Sequence, residues 1–267
     1  MGASDKATAD ERLIRYIGVA RRLIMLNLFC FPIFLPIISW FYLVINAYVG
    51  FPVGAGDVLP GIGYVAGLLL RLPSPAFYCL LALSAVLFGP CLLGLHAIVG
   101  GMITGRHVWV SEFFMEVRRN MRQGVVLGLS LAALGHLTLW NVFGGLTSDV
   151  SWLAFLIVVS RWASVGVFVL FGLALPFVCQ IAVSVKQPLW VVGKNGVILA
   201  RVHLGRGLLV LLGILVYWWV TSITFPVLSL PGLPLLSLAL TAFVQAAMSR
   251  PMVEKYLLEP MRQQKKS

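Results

Sequence analysis

Long apolar runs divided by short basic segments set the pattern of this chain. From Phe88 the stretch FGPCLLGLHAIVGGMI carries no charge as far as Ile103. A polar segment follows, with Arg106, Glu112, Glu116, Arg118, Arg119 and Arg122, and from Gly124 the chain is apolar again. A helix needs about 20 apolar residues to cross a bilayer core, so this stretch predicts a membrane helix, a surface helix and a second membrane helix. The same reading over the whole chain predicts six spans: 23–50, 75–103, 124–146, 163–185, 207–228 and a last one ending at Met248. Pro32 and Pro36 are expected to kink the first span, because proline lacks the helical donor and crowds the preceding turn. Residues 50–74 are Gly/Pro-rich yet apolar, which suits an interfacial or re-entrant segment. Arg161-Trp162 interrupts the following apolar run and places residues 151–162 at the outer interface. Residues 104–123 and 186–206 are two basic connectors, and Pro231 and Pro234 mark an outer turn. The expected fold is all-α, a polytopic transmembrane helical bundle in which residues 1–267 form one domain.

Composition agrees with a lipid solvent. The chain is 60% hydrophobic and 11% charged, whereas soluble domains are about a quarter charged. A net charge of +11 would suit nucleic acid in a soluble protein, but here the positive-inside rule accounts for it and no nucleic-acid partner is expected. Of the twenty Lys and Arg residues, only Arg71 and Arg161 fall on the outer side of the six-span arrangement. Of the nine acidic residues, only Asp57 and Asp149 do. The whole excess of positive charge thus lies on one side, which puts both termini in the cytoplasm: a basic segment at 1–22 and a basic tail at 249–267. The run from Leu23 is too long for a signal peptide and no cleavage site is evident near its end, so it is expected to be retained. Arg12, Arg15 and Arg22 can share one face of a helix along the membrane surface, or belong to a disordered basic tail. Cys30, Cys79, Cys91 and Cys179 all lie in apolar segments without CxxC spacing and read as small packing residues.

A span–connector–span unit occurs twice. Pro90 and Pro176 each lie about midway along an outside-to-inside span. Each span leads to a connector with a basic-Asn pair, Arg119-Asn120 and Lys194-Asn195. Both connectors end at a glycine, Gly124 and Gly207. Two such units of one direction would form a parallel repeat; chance similarity between apolar helices is the alternative.

Candidate chemistry concentrates in the first connector. Ser111 can cap a helix with acidic residues in its first turn and Arg118, Arg119 and Arg122 in its last, an order that complements the helix dipole. Phe113, Phe114, Val117 and Met121 define an apolar face. This helix either lies on lipid headgroups, with its arginines on phosphates, or docks a soluble partner. His96, His136, Asn141, Gln180, Asn46 and Gln245 are polar groups within spans, read as interhelical glue or as functional groups. Pro90, His96, Pro176 and Gln180 are the candidates for a helix break and solute pathway. Gly124, Gly128 and Ala132, and again Gly101 and Gly105, carry the small-residue spacing that lets helices approach, within or between chains. No GxxxxGK[ST], HExxH or GxSxG motif is present and the four histidines lack metal spacing. No enzymatic activity, metal or cofactor is expected.

The FGP motif, the helix after it, W-x-x-x-F-F, R-R-N-x-R-Q and the apolar restart together resemble the YesL-like bacterial membrane proteins, a family of unknown function. The likeness is most specific over Phe88–Gly135 and covers nearly the whole chain. The segment at 50–74 is longer than that pattern, and Gly193 and Gly196 weaken the second connector helix. The resemblance implies a bacterial cytoplasmic membrane and a carbohydrate-uptake context near sugar ABC transporters. It carries over no catalytic or binding residue. The expectation is an accessory or membrane component of oligosaccharide uptake; a self-sufficient small-solute transporter or channel, or a membrane-embedded regulator, are the alternatives.

Overall fold

The computed structural model describes residues 18–30, 75–106, 108–109, 111–143, 150–185, 187–220 and 238–264, and every regular element among them is helical. Residues 18–30 form α1. The others are α2 (Pro75–Ile103), α3 (Glu112–Arg119), α4 (Met121–Phe143), α5 (Ser151–Ser184), α6 (Leu189–Val202), α7 (Leu204–Trp219), α8 (Leu238–Val253) and α9 (Glu259–Gln264), with a π-helical turn at Glu254–Leu258 before α9. The expected kinks at Pro32 and Pro36, the segment at 50–74, Asn46 and the turn at Pro231 and Pro234 lie outside the described residues. So do most of residues 1–22.

Two helices among the described residues are long and apolar enough to cross a membrane: Ala85–Ile103 within α2, with mean hydropathy 2.0, and α5, with mean hydropathy 2.3. The pair α6 and α7 makes a third if it is one span, bent by 94° at the break. The chain forms two compact units. One comprises Met1–Pro32, Leu92–Asn120 and Leu173–Ser267, the other Ile33–Cys91 and Met121–Gly172.

Several expected boundaries move. Residues 151–162 are not set apart from the apolar run that follows; they are the first turns of α5, whose 34 residues run unbroken through Arg161-Trp162. One charged residue in a helix this apolar does not interrupt the backbone hydrogen bonds. The second connector holds a full helix, α6, and the helix expected from Gly207 begins at Leu204. Gly193 and Gly196 lie inside α6 and do not break it. The last helix passes Met248 and accommodates Pro251, so the tail at 249–267 is helical as far as Gln264. Pro90 and Pro176 sit inside continuous helices and break neither.

In the second unit α4 packs on α2 through glycine. A Cβ on Gly89 would lie 2.6 Å from the Gly128 nitrogen, and one on Gly128 would lie 2.9 Å from the Gly89 nitrogen. The small-residue stripe thus brings two helices of one chain together. Gly105 departs from that expectation. It has φ 75°, its N–H bonds Met102 O at 3.2 Å, and the Arg106 N–H bonds Gly101 O at 3.0 Å. That is the left-handed termination of a Schellman motif, which glycine alone adopts without strain. Asn141 on α4 reaches α5: its Nδ2 donates to Ser160 O at 3.0 Å and to Ser164 Oγ, and Ser160 Oγ donates back to Asn141 Oδ1. Asn141 is interhelical glue.

In the first unit Asn27 of α1 is wholly buried, and its Oδ1 accepts the Ala239 N–H at 2.8 Å. It satisfies an amide in the first turn of α8, where the backbone has no helical acceptor. The buried face of α8 is small, with Ala239, Ala242, Ala246 and Ser249. At the far end of α5, Ser184 Oγ accepts a bond from Arg250 Nη1. Cys30, Cys91 and Cys179 are buried and unbridged.

Candidate functional site

The first connector is a pinned helix rather than a loose amphipathic one. Ser111 does not cap α3 with its side chain. The Glu112 carboxylate instead ties down the chain that leads into the helix, accepting the Trp109 N–H at 3.2 Å and a bond from Arg106 Nη2 at 2.8 Å. Phe113 is wholly buried. A Cβ on Gly94 of α2 would lie 3.2 Å from the Phe113 ring and 2.6 Å from Val117 Cγ2, so the missing side chain is what lets α3 lie down on α2. Phe114 points the other way, half exposed, with its ring edge-on to Phe29 of α1 at 6.0 Å. The predicted apolar face is therefore split, with Phe113 and Val117 inward and Phe114 outward.

The helix ends earlier than the sequence suggests. Asn120 is buried, its Nδ2 donates to Glu116 O at 2.9 Å, and its own N–H bonds the same carbonyl at 3.0 Å. This side chain occupies the carbonyl of the last turn and lets the chain redirect into α4. Arg122 consequently belongs to the first turn of α4, not the last turn of α3. Arg118 and Arg119 keep their expected place, complementing the C-terminal end of the dipole. Arg119 also pairs with Glu116 at 3.1 Å. Arg118, Arg119 and Arg122 are exposed. Trp109 and Met115 are exposed as well, so cationic and large apolar groups share the presented surface.

The second connector is built differently. Lys194 is exposed and Asn195 half-buried, both in the middle of α6. Asn195 therefore terminates no helix, unlike Asn120, because α6 continues to Val202. The buried face of α6 carries Val192, Gly196 and Leu199. A Cβ on Gly196 would lie 3.2 Å from the Val178 nitrogen of α5. In the first connector the glycine is on the spanning helix and the valine on the connector; in the second the two are exchanged.

Of the four pathway candidates, the structure brings His96 and Gln180 together. Both are wholly buried. Gln180 Nε2 donates to His96 O at 3.2 Å and lies 3.3 Å from His96 Nδ1. An amide nitrogen only donates, so Nδ1 accepts and the ring proton resides on Nε2. That Nε2 and Gln180 Oε1 are both buried without a partner. Gln245 of α8 approaches the same ring, although no bond of ordinary length reaches Nε2. Gly100 makes room for the amide, since a Cβ there would lie 3.0 Å from Gln180 Oε1. Three helices thus meet at a polar cluster in an apolar interior, with one donor and one acceptor spare. Pro90 and Pro176 are buried helix residues with no part in it. His136 is half-buried on α4.

Sequence reasoning did not single out Asn27, whose partner is a backbone amide brought in from the far end of the chain. It also missed a groove of about 680 Å³ between the break at His203 and the end of α8, lined in part by Arg206, Lys255 and Tyr256. The apolar–basic boundary at Arg206 was the available signal. Among the described residues no three His, Cys, Asp or Glu side chains stand together as a metal site would require. No protein-family model, no curated protein and no solved structure matches this chain.

Proposed function

We propose that this is a six-span protein of a bacterial cytoplasmic membrane, with both termini inside, that serves carbohydrate uptake as an accessory membrane component by presenting α3 to a partner. The observation that carries the reading is the way α3 is held. Its inner face is locked by Phe113 and Val117 on Gly94, its last turn passes through Asn120 straight into α4, and its outer face offers Arg118 and Arg119 beside Phe114 and Met115. A helix held so firmly, with exposed aromatic and arginine groups, has the composition of an interface anchor. The two phenylalanines point to opposite sides, Phe113 buried and Phe114 exposed, which also argues against α3 lying flat on headgroups by a single apolar face. The six-span arrangement draws support from the charge asymmetry and from α5. At 1.5 Å per residue α5 is about 51 Å long, and roughly 20 of its residues suffice for the core, which leaves Trp152 and Trp162 in the stretch beyond it. The parallel repeat draws support from Gly124 and Gly207, each the fourth residue of its helix; Gly124 abuts Pro90, and Gly207 lies against Leu173, one turn before Pro176. The carbohydrate context and the sugar ABC transporter as partner rest on the YesL-like resemblance.

The reading predicts that Arg118→Glu/Arg119→Glu/Arg122→Glu abolishes capture of a partner in mild detergent while membrane insertion persists. Unchanged capture sinks it. The cluster at His96 and Gln180 favours a second reading, a self-sufficient solute pathway, because a spare buried donor and acceptor suit a small polar ligand. Flux into liposomes containing this chain alone would select that reading.

A further inference from the structure

We infer that the groove at the α6–α7 break is a binding site for the phosphate of an anionic phospholipid, separate from the α3 face and independent of its role. Four observations converge on it.

The first is the break itself. The chain turns by 94° at His203, so α7 starts afresh, and its first intrahelical bond is the Gly207 N–H to His203 O at 3.0 Å. The amides of Leu204, Gly205 and Arg206 precede that bond, and no side chain of His203 caps them. Exposed first-turn amides at the positive end of a 16-residue helix are donors for an oxyanion. Gly205 lines the groove, and no atom lies within 4 Å of where its Cβ would stand, so the backbone is open to a ligand.

The second is cationic lining. Arg206 and Lys255 reach the groove from two different helical segments. Neither is spent on a carboxylate among the described residues, since the neighbouring Glu254 pairs with Arg262 at 3.5 Å. The third is His203, whose Nε2 is buried without a partner. Its ring lies 5.6 Å from that of Tyr256, and the Lys255 ammonium stands 5.5 Å from the Tyr256 ring centre, so Tyr256 lies against both His203 and Lys255.

The fourth selects a lipid over a free anion. Met248 and Met252 add apolar lining to the groove. Immediately beyond the groove α7 exposes Leu208, Leu209, Leu212 and Leu215, a surface suited to acyl chains. Charge ends and leucine begins at Arg206, which is the level at which a lipid phosphate sits and at which basic residues attract anionic headgroups.

The test is native mass spectrometry of the full chain with phosphatidylglycerol, phosphatidylcholine or inorganic phosphate added. Phosphatidylglycerol adducts should survive activation that strips phosphatidylcholine. Arg206→Ala/Lys255→Ala should weaken retention by roughly tenfold or more, from two lost headgroup contacts. Arg206→Lys, which keeps the charge, should retain the lipid and guards against a misfolded double variant. Arg21→Gln, an exposed charge on α1, should change nothing. Equal retention of phosphatidylcholine, loss with Arg21→Gln as large as with the double variant, or inorganic phosphate competing at equal concentration would each overturn the proposal.

Discussion

Gly124 of α4 stands so close to Pro90 of α2 that any side chain on it would overlap the proline's own backbone, and a Cβ there would also lie 2.9 Å from the Gly89 carbonyl carbon. Backbone cannot swing aside as a side-chain tip can. Gly124→Ala and Gly128→Ala should therefore each destabilise the protein by about 1–3 kcal/mol or more, the usual range for overpacking. Gly193→Ala and Gly213→Ala are the internal controls. Nothing lies within 4 Å of a Cβ at either, and alanine in a helix is favoured over glycine by up to about 1 kcal/mol. Thermal unfolding in detergent checks the contrast; equal midpoints for Gly124→Ala and Gly193→Ala would refute the close approach.

The His96–Gln180 pair predicts energetic coupling across α2 and α5. Gln180→Leu removes the donor to His96 O and Nδ1 and leaves both buried, at about 1–3 kcal/mol. Once His96 is also leucine, less remains to be lost, so the double variant should be more stable than the two single losses imply. Hydrogen bonds between membrane helices couple by about 0.6 kcal/mol on average and up to about 1.7. A double-mutant cycle on thermal or denaturant stability measures this, and strict additivity would contradict the contact.

Much of this architecture is legible in the chain, and what is not follows from physics that a linear pattern omits. Hydropathy located the apolar spans because lipid solvation acts residue by residue: Ala85–Ile103 and most of α5 fall where the runs are. Pattern failed at helix ends. Nothing local says that Ser111 leaves the start of α3 uncapped while Glu112 reaches back to Trp109, or that Asn120 folds back on Glu116 and assigns Arg122 to the next helix, since those choices depend on side-chain geometry. Glycine was ambiguous for the same reason: Gly101 and Gly105 share the spacing of Gly124 and Gly128, yet Gly105 ends a helix at φ 75°. Of the candidate site, His96 and Gln180 were visible as polar residues in apolar runs, but their meeting is a tertiary fact. Asn27 and the groove at His203 needed the structure, because their partners come from distant segments.

Asn27 carries a third prediction. Its Oδ1 holds the Ala239 amide across nearly the length of the chain, so Asn27→Ala exposes no surface group but leaves an amide of α8 unsatisfied. Loss of an N-terminal capping side chain costs about 1 kcal/mol, between roughly 0.5 and 2. The effect should be local before it is global. Hydrogen exchange should speed up at the first amides of α8 while those of α6 keep their protection, and an unchanged rate at Ala239 would exclude the cap.

The two phenylalanines of α3 offer the sharpest separation of structure from interaction. Phe113 is wholly buried beside Gly94, whereas Phe114 is half exposed and touches Phe29 and the Phe113 ring edge. Phe113→Ala should cost about 3–5 kcal/mol, the range for truncating a buried phenylalanine, and should loosen α3 from α2. Phe114→Ala removes one edge-on aromatic contact on each side, worth about 0.5–1.5 kcal/mol at most, and should leave the fold standing. If α3 is a docking helix, its effect on partner capture should run opposite to its effect on stability: Phe114→Ala weakens capture from a protein of nearly unchanged thermal midpoint. Phe113→Leu, which keeps an apolar anchor, should preserve capture. Paired thermal-shift and detergent pull-down measurements on the three variants decide the matter, and a Phe114→Ala protein that captures its partner as well as the parent would remove the exposed ring from the interface.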